Sequence, residues 1–291
     1  MSNTPPFTVI IPAYNEEAVI ARCLNTVLEQ APHDHKMQII VAANGCKDRT
    51  VEIARATCPE ALVLDIPEGS KSKAMNKANR EAEHFPRIYL DADVQCGYPA
   101  LEAVVNTLKQ PGVMAASPAI KMDLSQSNWF IRAYYRVWMT QPYVTRSMVG
   151  SGCFGLSEEG YKKIGDFPHV TGDDIWVYSR FTEEERRNVA ANEAGDPVWF
   201  TVSPPRRALD QIRVEARRRL GNEEIRRDYP SAHYDGSNTP GDLRLALKNG
   251  ASILDIVAYL AIKAAARLRA RHSGRKSAAI IWERDLGARE L

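Results

Sequence analysis

No uncharged stretch of the 291-residue chain reaches the ~18 consecutive apolar residues that a membrane-spanning helix needs. A charged-then-apolar leader is missing as well, because the N-terminus runs straight into a strand-like segment; the sequence therefore predicts a protein that is neither exported nor transmembrane. Paired cysteines are also lacking. Cys23, Cys46, Cys58, Cys96 and Cys153 are odd in number and scattered, with no C-x-x-C pair, which argues against a zinc or disulfide framework and fits free thiols in a reducing, cytoplasmic compartment. There is no internal repeat and no low-complexity tract. A formal net charge of +2 points to no partner by itself, and nucleic acid is not expected among them. Its distribution is uneven, however. From Arg206 onward 18 Lys and Arg stand against 11 Asp and Glu, a balance of +7, so residues 1–205 carry −5.

What is present is an alternation. Runs rich in β-branched residues at 7–11, 37–43, 61–66 and 87–93 are separated by helical patterns near 16–30, 48–57 and 70–84. Such a pattern reads as β-α-β units around a parallel sheet. Ligands of these sheets sit beyond the carboxyl ends of the strands, so AYNEE, ANGCKD and DADVQ should share one rim. After Asp93 the pattern loosens. A helix is expected near 98–109, a strand near 113–121, a Trp/Tyr-rich helix at 126–140, strands at 150–157 and 197–202, a basic helix from 206 to about 220, and a loop over 221–243.

Asp91-Ala92-Asp93 follows an apolar strand directly, so two carboxylates separated by one residue emerge at its exposed end. Hard divalent cations want oxygen ligands, and Mg²⁺ commonly binds through one or two carboxylates plus substrate phosphates. Alone, D-x-D is a weak signal. In this chain it follows VIIPAYNEEAVIARCL, IIVAANGCKDRT and EGSKSKAMNKA in that order. Together these stretches resemble the nucleotide-sugar half of glycosyltransferase family 2, strongly over about 7–95, well around 150–180 and faintly in the tail.

The resemblance implies an α/β, A-type glycosyltransferase domain with a mostly parallel central sheet flanked by helices, plus a C-terminal helical extension. Residues 1–95 would form the nucleotide-sugar half, 96–205 the acceptor and catalytic half, and 206–291 the basic extension. It implies an inverting enzyme that moves one sugar from a nucleotide diphosphate sugar, UDP-linked by preference, to a glycan or lipid-linked acceptor. Pro12, Ala13, Tyr14 and Glu16 match the turn that contacts base and ribose, although Asn15-Glu16-Glu17 also reads as a helix N-terminus whose acids complement the dipole. Asn44 stands where the family often has a base-binding Asp; an amide offers a donor and an acceptor without the charge. Lys71, five positions before Asn76, and Lys73 match basic positions near the diphosphate. Asp91, Ala92 and Asp93 match the motif that holds Mn²⁺ or Mg²⁺, with Asp93 and Asp91 as ligands. In Gly172-Asp173-Asp174 the second acid matches the catalytic base, while the pair also suits the cap of a helix starting at Ile175.

Two features depart from the pattern or lie outside it. The Q-x-x-R-W motif of processive members survives only as Gln211 and Arg213, wrongly spaced and without Trp, which implies single addition. Near the C-terminus Ile253, Val257, Leu260, Ala264 and Leu268 form a helical stripe, with Asp255 opposite and Lys263, Arg267, Arg269 and Arg271 towards one end. Packing of that stripe on the protein's own core is the commoner arrangement. A peripheral contact of residues 251–276 with the inner face of the membrane is the other. Two rivals to a family 2 enzyme fit the sequence less well. A sugar nucleotidyltransferase would need a Gly-rich, Arg-containing loop in place of PAYNEE, and a non-catalytic binding domain has no physical need for three rim carboxylates.

Overall fold

The computed structural model describes residues 4–145, 150–233 and 240–273. In chain order the elements are β1 (Phe7–Ala13), α1 (Ile20–Leu28), β2 (Met37–Asn44), α2 (Thr50–Thr57), β3 (Leu62–Ile66), α3 (Lys71–Glu81), β4 (Arg87–Leu90), β5 (Val94–Cys96), α4 (Tyr98–Leu108) and β6 (Ala115–Met122). They continue with α5 (Trp129–Trp138), α6 (Pro142–Thr145), β7 (Cys153–Leu156), α7 (Glu158–Ile164), α8 (Asp173–Tyr178), β8 (Arg186–Val189), β9 (Trp199–Val202), α9 (Ala208–Asp228), α10 (Pro240–Lys248) and α11 (Ile253–Ser273).

Residues 4–121, 150–169 and 180–202 form one compact unit, which holds the sheet in the order β3-β2-β1-β4-β7-β6-β9-β5, with β8 beside β6. Every residue of β1 is buried, as expected of a central strand covered on both faces. β1 pairs in parallel with β2 and β4, and β2 with β3. β7 then joins β4 antiparallel. Because β1 to β4 are parallel, Ala13, Asn44, Ile66 and Leu90 end on one rim, and the loops that follow them converge there. Helix α1 buries Ile20, Cys23, Leu24 and Val27, the i, i+3, i+4, i+7 face that packs on the sheet.

Residues 122–145, 170–179, 203–233 and 240–273 form the second unit. In it α11 packs against both α5 and α9. Ala216, Ala266 and Ala270, with Ile212 and Leu220, let α9 and α11 approach closely, and the Tyr134 and Tyr259 rings lie 5.1 Å apart between α5 and α11. Glu215 is buried and neutralised twice, by Lys263 at 2.5 Å and Arg218 at 3.1 Å. The start of α11 is a reciprocal cap: Ser252 N donates to Asp255 Oδ2 at 2.9 Å, and Asp255 N donates to Ser252 Oγ at 3.1 Å.

The structure corrects two expectations here. Helix α9 does not stop near 220 but runs to Asp228, because Gly221 does not break it; it lies buried against Gly172. Of the loop expected over 221–243, residues 234–239 lie outside the described residues. The apolar stripe on α11 faces outward. The buried face carries Asp255, Ala258, Tyr259, Ile262, Ala266 and Ala270, whereas Ile253, Val257, Leu260, Ala264 and Leu268 are exposed. Residues 274–276 of the segment 251–276 lie outside the described residues.

Candidate active site

The turns after β1 and β2 are laced together. Asn15 Oδ1 accepts from Lys47 N at 2.6 Å and a Glu17 carboxylate oxygen from Arg49 N at 3.0 Å. In return Thr50 Oγ1 accepts from Glu16 N at 2.6 Å and Asp48 Oδ2 from Glu17 N at 3.2 Å. Asn15 takes the left-handed conformation, φ 51°, that Asn tolerates better than most residues. The acids therefore do not sit in the first turn of α1, which starts only at Ile20. Their place as dipole partners is corrected by this clasp, and Asp48 and Thr50 are members that the sequence did not single out. The signal was there in Asp48-Arg49-Thr50, a short polar run whose side chains bond nearby backbone.

Asn44 is buried at the end of β2, where its amide donates to Ala13 O at 2.9 Å and Ala42 O at 3.2 Å. The side-chain amide nitrogen thus serves the β1–β2 junction. Gly45, at φ +63°, follows directly. A Cβ there would lie 2.8 Å from Gly69 Cα and N, so the loops after β2 and β3 touch backbone to backbone. A Cβ at Gly69 would in turn meet the Tyr14 ring at 3.4 Å. Pro12 and Ala13 are buried in β1 beneath this layer, Glu16 is buried beside it, and Tyr14 is partly exposed.

At the next strand end, Val94 N donates to Asp91 O at 3.0 Å, which closes a turn with Ala92 and Asp93 at its corner. Asp91 N is anchored on Gly152 O at 2.8 Å. Ala92 is buried and the two flanking carboxylates reach the surface. Gly152 keeps this turn open: at φ +99°, a Cβ would lie 2.7 Å from a Val94 methyl and 3.6 Å from Asp91 Oδ2. Lys71 Nζ lies 2.7 Å from Asp91 Oδ1. Lys71 stands in the first turn of α3, whose N-cap is Ser70, and Lys73 pairs with Glu68 on the exposed side at 2.6 Å. Asn76 fixes the far side of α3 by bonding both backbone groups of Phe167, at 2.9 and 2.8 Å. Beneath the turn lie Cys23, Cys96 and Cys153. Burial, with Asp93, Cys96 and Asp91 adding to it, pushes the Cys23 thiol up, and a hydrogen bond with Cys96, then burial, does the same for Cys153. The Cys23 and Cys153 thiols are thereby kept protonated and are poor metal ligands.

Among the described residues no three His, Cys, Asp or Glu side chains gather as a metal cluster. Two carboxylates on an open turn, with an ammonium already against one of them, suit an ion that completes its shell with phosphate oxygens.

In the second unit, Asp173 and Asp174 occupy the first turn of α8, with Gly172 as N-cap. Neither acid is the cap itself, a correction to the helix start expected at Ile175. Asp174 Oδ1 accepts from Ile175 N at 2.8 Å. The loop before them is held by α9: Thr171 N donates to Glu224 Oε2 at 3.1 Å, and a Cβ at Gly221 would lie 3.3 Å from Gly172 N. Arg218 projects from the same helix. Burial opposes its charge, and Glu215, ahead of Tyr134, Tyr143 and Asp174, more than offsets this. Gln211 is buried and accepts from Tyr135 Oη at 3.2 Å, while Arg213 pairs with Asp210 at 2.7 Å.

Comparison with known proteins agrees with the motif order. The chain is 27% identical over 194 residues to glycosyltransferase AglE of Haloferax volcanii; the match spans 63% of this chain and 64%, less than two thirds, of that relative. Its fold is similar to that of the mannosyltransferase PcManGT of Pyrobaculum calidifontis, solved with GDP-Man and Mn²⁺, with TM-score 0.59, 22% identity, and 94% of this chain and 77% of that one covered. It is also similar to glucosyl-3-phosphoglycerate synthase of Mycobacterium tuberculosis, solved with Mn²⁺, UDP and glucosyl-3-phosphoglycerate, with TM-score 0.52, 16% identity, and 76% and 79% covered. The family model for glycosyl transferase family 2 matches residues 8–165, more than half of the chain, and the chain belongs to that family.

Proposed function

We propose that this chain is an inverting glycosyltransferase that moves a single sugar from a nucleotide diphosphate sugar to a hydroxyl of a glycan or lipid-linked acceptor in the cytoplasm. The observation that carries this reading is the Asp91–Asp93 turn at the rim, with Lys71 against Asp91 and Tyr14, Gly45 and Gly69 layered on the same rim. Asp93, with Asp91 shared between it and Lys71, would hold Mn²⁺ or Mg²⁺ on the diphosphate. The bound ion supplies charge neutralisation to the leaving nucleotide. Lys71 adds a second positive charge there, and Lys73 a weaker one because Glu68 engages it. Tyr14 and Glu16 receive the base and ribose, over a floor made by Pro12 and Ala13. The Asn44 carbonyl accepts from the base.

Asp174 takes the acceptor hydroxyl's proton as its oxygen attacks the anomeric carbon, and Asp173 orients the turn. Single addition is supported by Gln211 and Arg213, which are engaged within their own helix layer. A cytoplasmic setting is supported by five cysteines that are all free thiols. UDP is the nucleotide preferred. GDP is the second reading, because the PcManGT structure carries GDP-Man and an acceptor carbonyl meets N–H donors on uracil and guanine alike.

A thermal-shift screen with Mn²⁺ across UDP-, GDP- and dTDP-sugars tests the assignment. One nucleotide class should raise the midpoint, and Asp93→Ala should remove most of the shift. A protein that no nucleotide sugar stabilises, and that hydrolyses none slowly, would instead have to be a non-catalytic member.

A further inference from the structure

Helix α11 has two apolar faces, and only one is covered. The inner face meets α5 and α9. On the outer face Ile253, Leu254, Val257, Leu260 and Leu268 are 73%, 65%, 57%, 46% and 65% exposed. Scattered exposed leucines need no explanation, but five large aliphatics on one side of a 21-residue helix form a continuous ridge. At 1.5 Å per residue the ridge from Ile253 to Leu268 is about 23 Å long.

Charge tells what kind of surface would cover it. Asp255 is the single acid of α11, and it points inward to Arg136 at 2.7 Å. The charged residues of the helix that are exposed are Arg267 and Arg271, which lie three residues beyond Ala264 and Leu268 and so flank the ridge at its C-terminal end. Exposed aromatics gather at the same end. The pairs Arg136–Asp255 and Tyr134–Tyr259 show that α5 runs antiparallel to α11, so Trp129 and Phe130, both about half exposed, stand beside its C-terminal half. A cationic helix with an aliphatic face and a neighbouring Trp fits the boundary between lipid headgroups and acyl chains. A folded protein partner would be expected to meet more aromatic and hydrogen-bonding groups along the ridge. Among the described residues no helix is long and apolar enough to cross a membrane, so this helix would lie in the surface plane.

We propose that α11 is a membrane-docking helix, its outer face inserted shallowly into an anionic phospholipid surface and Arg267 and Arg271 meeting the headgroups. This rests on the surface of the helix layer alone and not on the assignment of donor, metal or base. Docking would bring the enzyme to the bilayer by apolar area and electrostatics together.

The test is sedimentation of the full chain with vesicles of phosphatidylcholine, alone or mixed with phosphatidylglycerol. The wild type should pellet with the anionic vesicles and be released by salt. Val257→Glu/Leu260→Glu should lower the partition coefficient roughly 10-fold or more, since both the apolar contact and the charge balance are lost. Arg267→Glu/Arg271→Glu should abolish the preference for phosphatidylglycerol. Because all four side chains are exposed, the unfolding midpoints should match the wild type, which separates lost docking from lost folding. Wild-type protein left in the supernatant with anionic vesicles at low salt would overturn the assignment. So would a Val257→Glu/Leu260→Glu variant that pellets normally. If light scattering finds a dimer that this variant splits, and vesicles bind neither form, the ridge belongs to a second copy of the chain and lipid docking is wrong.

Discussion

Lys71 Nζ sits 2.7 Å from Asp91 Oδ1, so the first turn of α3 and the end of β4 meet through a charge pair at the strand-end rim. Both side chains are partly exposed, and the pair itself adds little to stability. Its effect is on ligand chemistry. Asp91 already carries a cation, and the ammonium of Lys71 stands on the rim where the diphosphate is proposed to lie.

Replacing each member should therefore give different signatures in calorimetry with UDP. Asp93→Ala should weaken binding strongly in Mn²⁺ and hardly at all in EDTA. Lys71→Met should weaken it by about 3–10-fold in both conditions, because the ammonium acts on the diphosphate directly. Equal losses for Asp93→Ala under both conditions would make its role structural.

Asp174→Asn keeps the shape of the α8 first turn and can still accept from Ile175 N, but it removes the proton acceptor. Donor affinity should survive while turnover on an identified acceptor falls ~10²–10⁴-fold. Asp173→Asn should cost less. Near-normal turnover in Asp174→Asn would place the base elsewhere.

If Asp174 is the base, Glu224 acts as a positioning residue, since it accepts from Thr171 N in the loop that leads into the acidic pair. Glu224→Ala should lower kcat by about 10-fold with the donor Kd unchanged, and Glu224→Gln should restore much of it, because an amide oxygen accepts the same hydrogen bond. Gly221→Ala, which presses on Gly172, should act in the same direction. If the Ala and Gln variants at 224 behave alike, or if Kd moves with kcat, Glu224 does not position the turn.

Asp255 is held down to about 2 by its hydrogen bond with Arg136, against the opposing effect of burial. A depressed carboxylate stabilises the fold above its unfolded value of 3.8, and that contribution is lost as pH falls through about 2. Asp255→Asn should therefore cost about 2 kcal/mol at neutral pH, with the gap to wild type closing between pH 4 and 2 in urea titrations. A gap independent of pH would assign the loss to the Ser252 cap instead.

The first half of the chain was legible because physics there is local. Strands β1 to β4 are mostly apolar runs, each followed by a polar turn, and the ordered motifs mark one rim. Strands β5 and β8, of three and four residues, left no period to detect. The clasp between Asn15-Glu16-Glu17 and Asp48-Arg49-Thr50 needs two turns 30 residues apart to meet, which no single turn reveals. On α11 the pattern misled for a different reason. With apolar residues on both faces, hydrophobic period cannot say which face is covered, and the covered face uses alanines and a tyrosine while the larger aliphatics point outward. Glycine was informative only after folding: Gly45, Gly69 and Gly152 mark close approaches that become visible once neighbouring loops are in place.

The thiols beneath the Asp91–Asp93 turn give this protein a native stopwatch. Cys46 is the one partly exposed cysteine and should label first with a maleimide, whereas the buried Cys23, Cys96 and Cys153 can react only when the structure around them opens. Their labelling rate under native conditions reads the opening frequency of the ground on which the carboxylate pair stands. If donor and Mn²⁺ bind through that pair, they should slow the labelling of the buried thiols, so occupancy can be followed before any acceptor is known.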